Sequence, residues 1–197
     1  MKKVILSLGL LVGVTAAAQA QNVTFGLKAG VNLANVTGDN TRELKSIIGA
    51  NGGLAANFGF SDLLSVQPEL LYSMKGTKYE VSNYKREGRL NYLDVPVLVK
   101  FNADGPFFEL GPQVGFLVSQ KTTEEVGGRT ASTNSTDGTR KVDFGYVLGL
   151  GYQLASGPSL GLRYNGGFSD LSDPSVAGAV TRNSVFQFQL GYMFGGK

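Results

Sequence analysis

An alternation of apolar with small or polar positions recurs along the chain, and it is clearest from Val23 to Leu33. Every odd position in that run is apolar, and every even position is Thr, Gly, Lys or Asn. Because successive side chains of a β-strand point to opposite faces, the run predicts a strand with one apolar face. The same pattern returns in seven further runs, within residues 48–60, 64–75, 90–101, 108–118, 142–154, 160–165 and 186–194. The sequence therefore predicts eight strands.

The connections between these runs alternate between long and short. The long ones are polar and cover residues 35–46, 76–88, 120–141 and 166–183, and the longest of them is expected to be mobile. Bacterial outer-membrane barrels combine short periplasmic turns, longer outer loops and an even number of strands. The predicted fold class is therefore all-β: an eight-stranded antiparallel up-and-down transmembrane β-barrel with short periplasmic turns and long outer loops.

The charges within the predicted strands all fall on the polar face. They are Lys28, Glu69, Lys75, Asp94, Lys100, Glu109, Asp143 and Arg163. A Lys or Arg at the lipid midplane costs roughly 2–4 kcal/mol, so the uncharged apolar face is assigned to lipid. The eight charges are balanced, and we expect them to form one connected ion-pair network that fills the interior. A soluble lipocalin-like barrel with inverted faces is the alternative, although its solvated wall would not favour so much glycine.

Three prolines, Pro68, Pro96 and Pro112, fall inside predicted strands. Proline has no N–H to donate to a neighbouring strand, and a closed barrel has no free edge. Each proline is therefore expected at a bulge or at a strand margin.

The N-terminus has the features of an export signal. Two lysines precede an apolar run that ends in Ala18-Gln19-Ala20, which predicts a cleaved signal peptide over residues 1–20 and a barrel domain over 21–197. An uncleaved anchor is the alternative, but the apolar run is short for a membrane span. Removal of Lys2 and Lys3 lowers the net charge from +3 to +1, so no nucleic-acid partner is expected. The predicted location is the bacterial outer membrane.

The chain contains neither histidine nor cysteine. Nucleophilic triads and most zinc sites need one or the other, so we expect no enzyme activity, no catalytic residue, no cofactor and no metal site. Carboxylate chemistry remains open in principle, but ion pairing inside the barrel explains the buried acidic residues more simply. The aspartates in the connections lie beside Gly, Ser or Pro, as turn residues do.

Two segments, Phe25–Asn32 and Tyr92–Pro96, resemble the PorT-like outer-membrane barrels, which are often called porin family proteins. The resemblance covers nearly all of the chain after the signal peptide, including Tyr164–Gly167. It implies a type of barrel and no particular activity, and the secretion role of the family's namesake is not transferred. An aromatic residue commonly closes the chain of such barrels and is read by the assembly machinery, whereas here Phe194 is followed by Gly195-Gly196-Lys197.

Two functions are compatible with this sequence. The first is a structural or interaction scaffold that presents outer loops to envelope or surface proteins, with membrane lipid and the barrel-assembly machinery as further partners. The second is a narrow porin-like channel for small solutes. Channels wide enough for solutes use about 16–18 strands, so the strand number favours the scaffold.

Overall fold

The computed structural model describes residues 22–172 and 180–194, so the predicted signal peptide lies outside the described residues. The described residues form nine strands: β1 Asn22–Gly38, β2 Leu44–Gly59, β3 Leu64–Val81, β4 Tyr84–Asn102, β5 Pro106–Val126, β6 Arg129–Asn134, β7 Val142–Gln153, β8 Pro158–Gly167 and β9 Thr181–Phe194. No helix in this part of the chain is long and apolar enough to cross a membrane.

Eight of the strands close into a ring. Strand β1 pairs antiparallel with both β2 and β9, and β4 pairs with β5, so the sheet has the circular order β1-β2-β3-β4-β5-β7-β8-β9. This confirms the predicted up-and-down barrel. Short connections at residues 60–63, 103–105 and 154–157 mark its periplasmic end. Within the described ranges, the ninth strand, β6, pairs with β5 alone and lies outside the ring.

The long outer connections differ from their prediction, because much of their length is strand. Strands β3 and β4 continue through residues 76–88 and are joined by a two-residue turn at Ser82-Asn83, where φ of Ser82 is +46°. The connection 120–141, expected to be mobile, instead contains the end of β5, a turn at Gly127-Gly128 and all of β6. These segments are polar on both faces, so they carry no apolar alternation that would predict a strand.

The faces of the barrel are oriented as predicted. Apolar side chains of the eight ring strands point outward; Phe25 is 63% exposed, Ile48 73% and Leu162 56%. The charged and amide side chains of the other face are buried inside the ring. A soluble barrel would have the opposite arrangement, so the lipocalin-like alternative is wrong.

The prolines lie neither at bulges nor at margins. Pro68 of β3 is opposite Val97 of β4, and Pro96 of β4 is opposite Gln113 of β5. The register on either side of each pair is unchanged. The described shifts fall elsewhere, between Ser46 and Asn51 and between Asn91 and Tyr92. The expectation was wrong because β3, β4 and β5 lack a few backbone pairs next to the prolines and keep the same register on both sides of the gap.

Candidate functional site

Four charged side chains meet in the middle of the bore, one each from β1, β3, β5 and β8. Arg163 contacts Glu69 through two hydrogen bonds, from Nη1 to Oε2 and from Nη2 to Oε1, both 2.7 Å long. Arg163 Nε donates to Glu109 Oε1, and Lys28 Nζ lies 2.6 Å from Glu69 Oε1 and 3.9 Å from Glu109 Oε2. Two cations thus face two carboxylates with little solvent contact, the arrangement in which buried charges are tolerated. We call these four residues the central ion cluster.

A glycine on β7 makes room for the central ion cluster. A β carbon at Gly149 would lie 2.7 Å from Glu109 Oε1 and 3.0 Å from Arg163 Cγ. Such contacts are closer than packed side chains allow, so a larger residue at this position would displace the ion pair. The abundance of glycine on the inward face is therefore a packing requirement of a narrow bore.

Lys100 lies toward the periplasmic end and does not bridge to a carboxylate, contrary to our expectation. Glu109 is directly opposite in register, but its Oε1 accepts from Arg163 Nε, and its Oε2 faces Lys28 Nζ at 3.9 Å without a hydrogen bond. Lys100 Nζ instead donates to Gln153 Oε1 at 2.5 Å and lies 4.1 Å from the centre of the Phe107 ring. A cation over an aromatic face is attracted by the ring quadrupole, which partly replaces the missing carboxylate.

Amide side chains lie on the outer side of the central ion cluster. Gln189 Nε2 donates to Asn51 Oδ1 at 2.9 Å, and Asn51 Nδ2 donates to Asn32 Oδ1 at 2.6 Å. Asn32 Oδ1 also accepts from Gln187 Nε2, while its Nδ2 donates to Ser73 Oγ at 3.1 Å. We call these five residues the amide layer. The alternation places the four amide residues on the polar, inward faces, as the structure does, whereas Ser73 is not among the predicted interior residues although it has the same parity as Glu69 and Lys75.

The remaining charges lie between the amide layer and the outer mouth. Lys75 Nζ donates to Asp94 Oδ1 at 2.9 Å and lies 4.6 Å from the centre of the Tyr92 ring. Asp143 Oδ2 accepts a hydrogen bond from Asn183 Nδ2 at 2.8 Å, and within the described residues no Lys or Arg lies within 4.0 Å of Asp143. All eight predicted charges are therefore in the interior, but as a cluster of four, one ion pair and the two separate residues Lys100 and Asp143 rather than one connected network.

An apolar cluster closes the outer mouth. It consists of buried Val36, Leu90, Tyr92 and Leu171, with partly buried Leu44 and Leu117 packed against it. We call it the outer plug. Tyr92 has the same parity as Asp94, but most of the other residues lie in predicted connections or at the ends of predicted strands, so the alternation does not predict the plug. Side chains thus occupy the bore from Lys100 to the outer mouth.

The described residues hold no group of three or more His, Cys, Asp and Glu that could bind a metal ion. The absence of a catalytic residue and of a cofactor stays a prediction. The interior side chains neutralise one another's charges and link strands across the bore.

Solved structures with the same fold are outer-membrane proteins. Ail, the attachment invasion locus protein of Yersinia pestis, aligns over 88% of this chain and 100% of its own with a TM-score of 0.52 and 18% identity. A second structure of Ail, in complex with the heparin analogue sucrose octasulfate, aligns over the same shares with a TM-score of 0.50 and 18% identity. Neisserial surface protein A aligns over 88% of this chain and 100% of its own, with a TM-score of 0.52 and 14% identity.

Among curated protein sequences, none matches this chain. The family described as "Outer membrane protein beta-barrel domain" matches residues 18–173. That range includes β1 to β8 and every charged residue of the interior. The protein is therefore located in the bacterial outer membrane, and the chain belongs to the outer membrane protein beta-barrel domain family.

Proposed function

We propose that this protein is a rigid outer-membrane scaffold whose filled barrel holds a projecting β-sheet for binding by an envelope or surface protein. The filled interior supports a role as an anchor, since ion pairs and amide bonds connect strands on opposite sides of the bore. The outer parts of β3, β4 and β5 continue as paired strands past the barrel's outer plug and are joined there by β6. This projecting sheet is the feature on which the proposal rests.

The exposed edge of β6 is the single observation that carries the proposal. All six residues, Arg129–Asn134, are exposed, and in the described structure only one side of the strand is paired. An unpaired edge presents a row of N–H and C=O groups, and an extended segment of a partner can add to it as a further strand. The segment contains no proline to block such pairing.

The projecting sheet carries charges of both signs. Arg86 lies 3.4 Å from Glu124, Arg89 lies 2.5 Å from Glu87, and Lys45 of the neighbouring strand β2 lies 3.5 Å from Glu80. These pairs neutralise part of the basic surface. A sulfated polymer binds through positive charge alone, so the negative side chains of this sheet oppose it. The sulfated ligand in the Ail complex is therefore not transferred to this chain.

The proposal is tested by photo-crosslinking in intact cells. A photoreactive amino acid at Thr130 or Ser132 of β6 should form adducts with a discrete protein. The same group at Asp104, in a periplasmic turn, is the matched control and should not give that adduct. Adducts at Asp104 alone, or none at any β6 position, would contradict the proposed docking edge.

A narrow channel for small solutes is the second candidate, and the side chains that occupy the bore make it the weaker one. Three further expectations also remain proposals. They are the resemblance to PorT-like barrels, the absence of enzyme activity, and the interaction with membrane lipid and the assembly machinery. None of them is needed for the docking edge.

A further inference from the structure

Two carboxylates approach each other between the amide layer and the outer plug. Asp94 of β4 and Asp143 of β7 are both opposite Gly115 of β5, which stands between them in the sheet. A β carbon at Gly115 would lie 2.6 Å from Asp94 Oδ1 and 3.7 Å from Asp143 Cβ. The inward side of this glycine is therefore occupied by the Asp94 carboxylate and lies beside Asp143, and we call the region around these two side chains the outer chamber.

The outer chamber has a deficit of positive charge. Lys75 is the one cation within ion-pair distance of its carboxylates in the described structure, and it contacts Asp94. Asp143 is 6% exposed and receives an amide hydrogen bond from Asn183. The surplus positive charge, on Lys100, lies beyond the amide layer at the other end of the bore. The net charge of the chamber is therefore −1, and a buried unpaired charge is costly.

The chamber also has more acceptor atoms than donors. Asp94 Oδ2, Asp143 Oδ1 and Asn183 Oδ1 are buried and have no hydrogen-bond partner in the part of the chain that the structure describes, and the Tyr92 hydroxyl is a buried donor there that likewise has none. Asn183 is 4% exposed. The orientation of Asn183 follows from chemistry, because its Nδ2 must face the carboxylate of Asp143. Its Oδ1 is therefore a true oxygen ligand without a donor.

We propose that the outer chamber binds one small hard metal cation through Asp94, Asp143 and Asn183. Carboxylate and amide oxygens without His or Cys are typical ligands of hard cations and do not favour transition metals. One positive charge suffices to neutralise the chamber, so a monovalent ion such as Na⁺ is the first candidate. The bound ion links β4, β7 and β9 beneath the outer plug. This is a structural role that is independent of the docking edge.

The test uses the full barrel purified from membranes in detergent, with thermal unfolding measured at constant ionic strength. Na⁺, K⁺, Ca²⁺ and Mg²⁺ are each compared with a bulky organic cation, N-methyl-D-glucamine. At a concentration far above its dissociation constant, at least one metal ion should raise the unfolding midpoint by about 5 °C or more. A midpoint that is the same in all five solutions overturns the proposal and favours a proton or water as the occupant.

Two variants localise the effect. Asp143→Asn removes the unpaired carboxylate while keeping its size, so the variant should fold and lose the dependence on the metal ion. Asp137→Asn changes an exposed aspartate that hydrogen-bonds Ser135, and it should keep the dependence. Elemental analysis should find about one metal ion per chain in the natural protein and in Asp137→Asn, and none in Asp143→Asn. Equal midpoint shifts in both variants would place the ion elsewhere and contradict the proposed ligands.

Discussion

The guanidinium group of Arg163 and the carboxylate of Glu69 meet across the full width of the bore. Both of their N–O distances are 2.7 Å, although the residues are 94 positions apart in the chain. Strands β8 and β3 lie opposite each other in the eight-strand ring, four steps apart in either direction. The pair therefore links opposite walls of the barrel. Lys28 Nζ of β1 and Glu109 Oε2 of β5 lie 3.9 Å apart and form a second link of this kind.

Removing the arginine should destabilise the barrel strongly. Arg163→Ala leaves Glu69 and Glu109 with Lys28 as their only close cation in the described structure, and we expect a loss of about 3–5 kcal/mol in the free energy of unfolding. Urea unfolding of the reconstituted protein measures it. The matched control is Arg86→Ala, which breaks an exposed pair and should change stability by less than about 1 kcal/mol. Similar losses in both variants would show that the central ion cluster does not brace the bore.

A charge on the lipid face should impair assembly. Val97 is on the outward face of β4 and 43% exposed, so Val97→Arg should cost roughly 2–4 kcal/mol at mid-membrane. Thr130→Arg places the same charge on exposed β6 and should be nearly neutral for folding. The readout is the folded fraction after insertion into lipid vesicles. Equal folded fractions would mean that Val97 does not face lipid.

The filled bore should conduct poorly. We expect the natural protein to give no stable, large single-channel steps in planar lipid bilayers, because side chains occupy each level between Lys100 and the outer plug. A solute-conducting 16-stranded porin in the same bilayer is the positive control. Reproducible large steps from the purified barrel would favour the channel over the scaffold.

The last outer connection should loosen at low pH. Asp170 Oδ1 accepts hydrogen bonds from the backbone N–H of Thr181, at 3.0 Å, and of Ser172, at 3.2 Å. The bond from Thr181 is the main reason that the pKa of Asp170 is lowered from its usual value. A lowered pKa in the folded state means that this contribution is present above the unfolded pKa, near 4, and is lost as the pH falls below it.

This pH effect is measured on the amide of Thr181. Its chemical shift should titrate with a midpoint below about 3.9, the ordinary pKa of aspartate. Asp170→Asn should speed hydrogen exchange at Thr181 at neutral pH. Exchange that is unchanged in the variant would show that the carboxylate does not hold the two sides of the connection together.

Processing of the N-terminus is a separate prediction. Cleavage after Ala20 should leave a mature chain that starts at Gln21, as seen by mass spectrometry of the protein from outer membranes. Ala18→Arg changes the small residue at the predicted cleavage site and should cause the precursor to accumulate. Ala16→Ser, further from the site, should be processed normally. A mature chain that retains Met1 would indicate the uncleaved anchor.

The period-two pattern by itself determined the ring strands and their faces. A strand that separates lipid from a narrow interior must alternate, and no charge can be placed on the lipid side without a large penalty. For that reason the alternation places Phe25 and Val97 on the lipid side and Lys100 inside, as the structure does. Where strands leave the membrane this constraint disappears, so β6 and the outer parts of β3 to β5 carry no signal of their own.

Only the tertiary structure decided how the interior groups are partnered. The pairing of Arg163 with Glu69, and of Lys75 with Asp94, depends on the stagger of strands around the ring, which side-chain alternation does not encode. The same stagger leaves Lys100 and Asp143 at opposite ends of the bore, although the eight charges balance in sequence. Charge composition can be counted along a chain, but the distance between two charges is a property of the closed barrel.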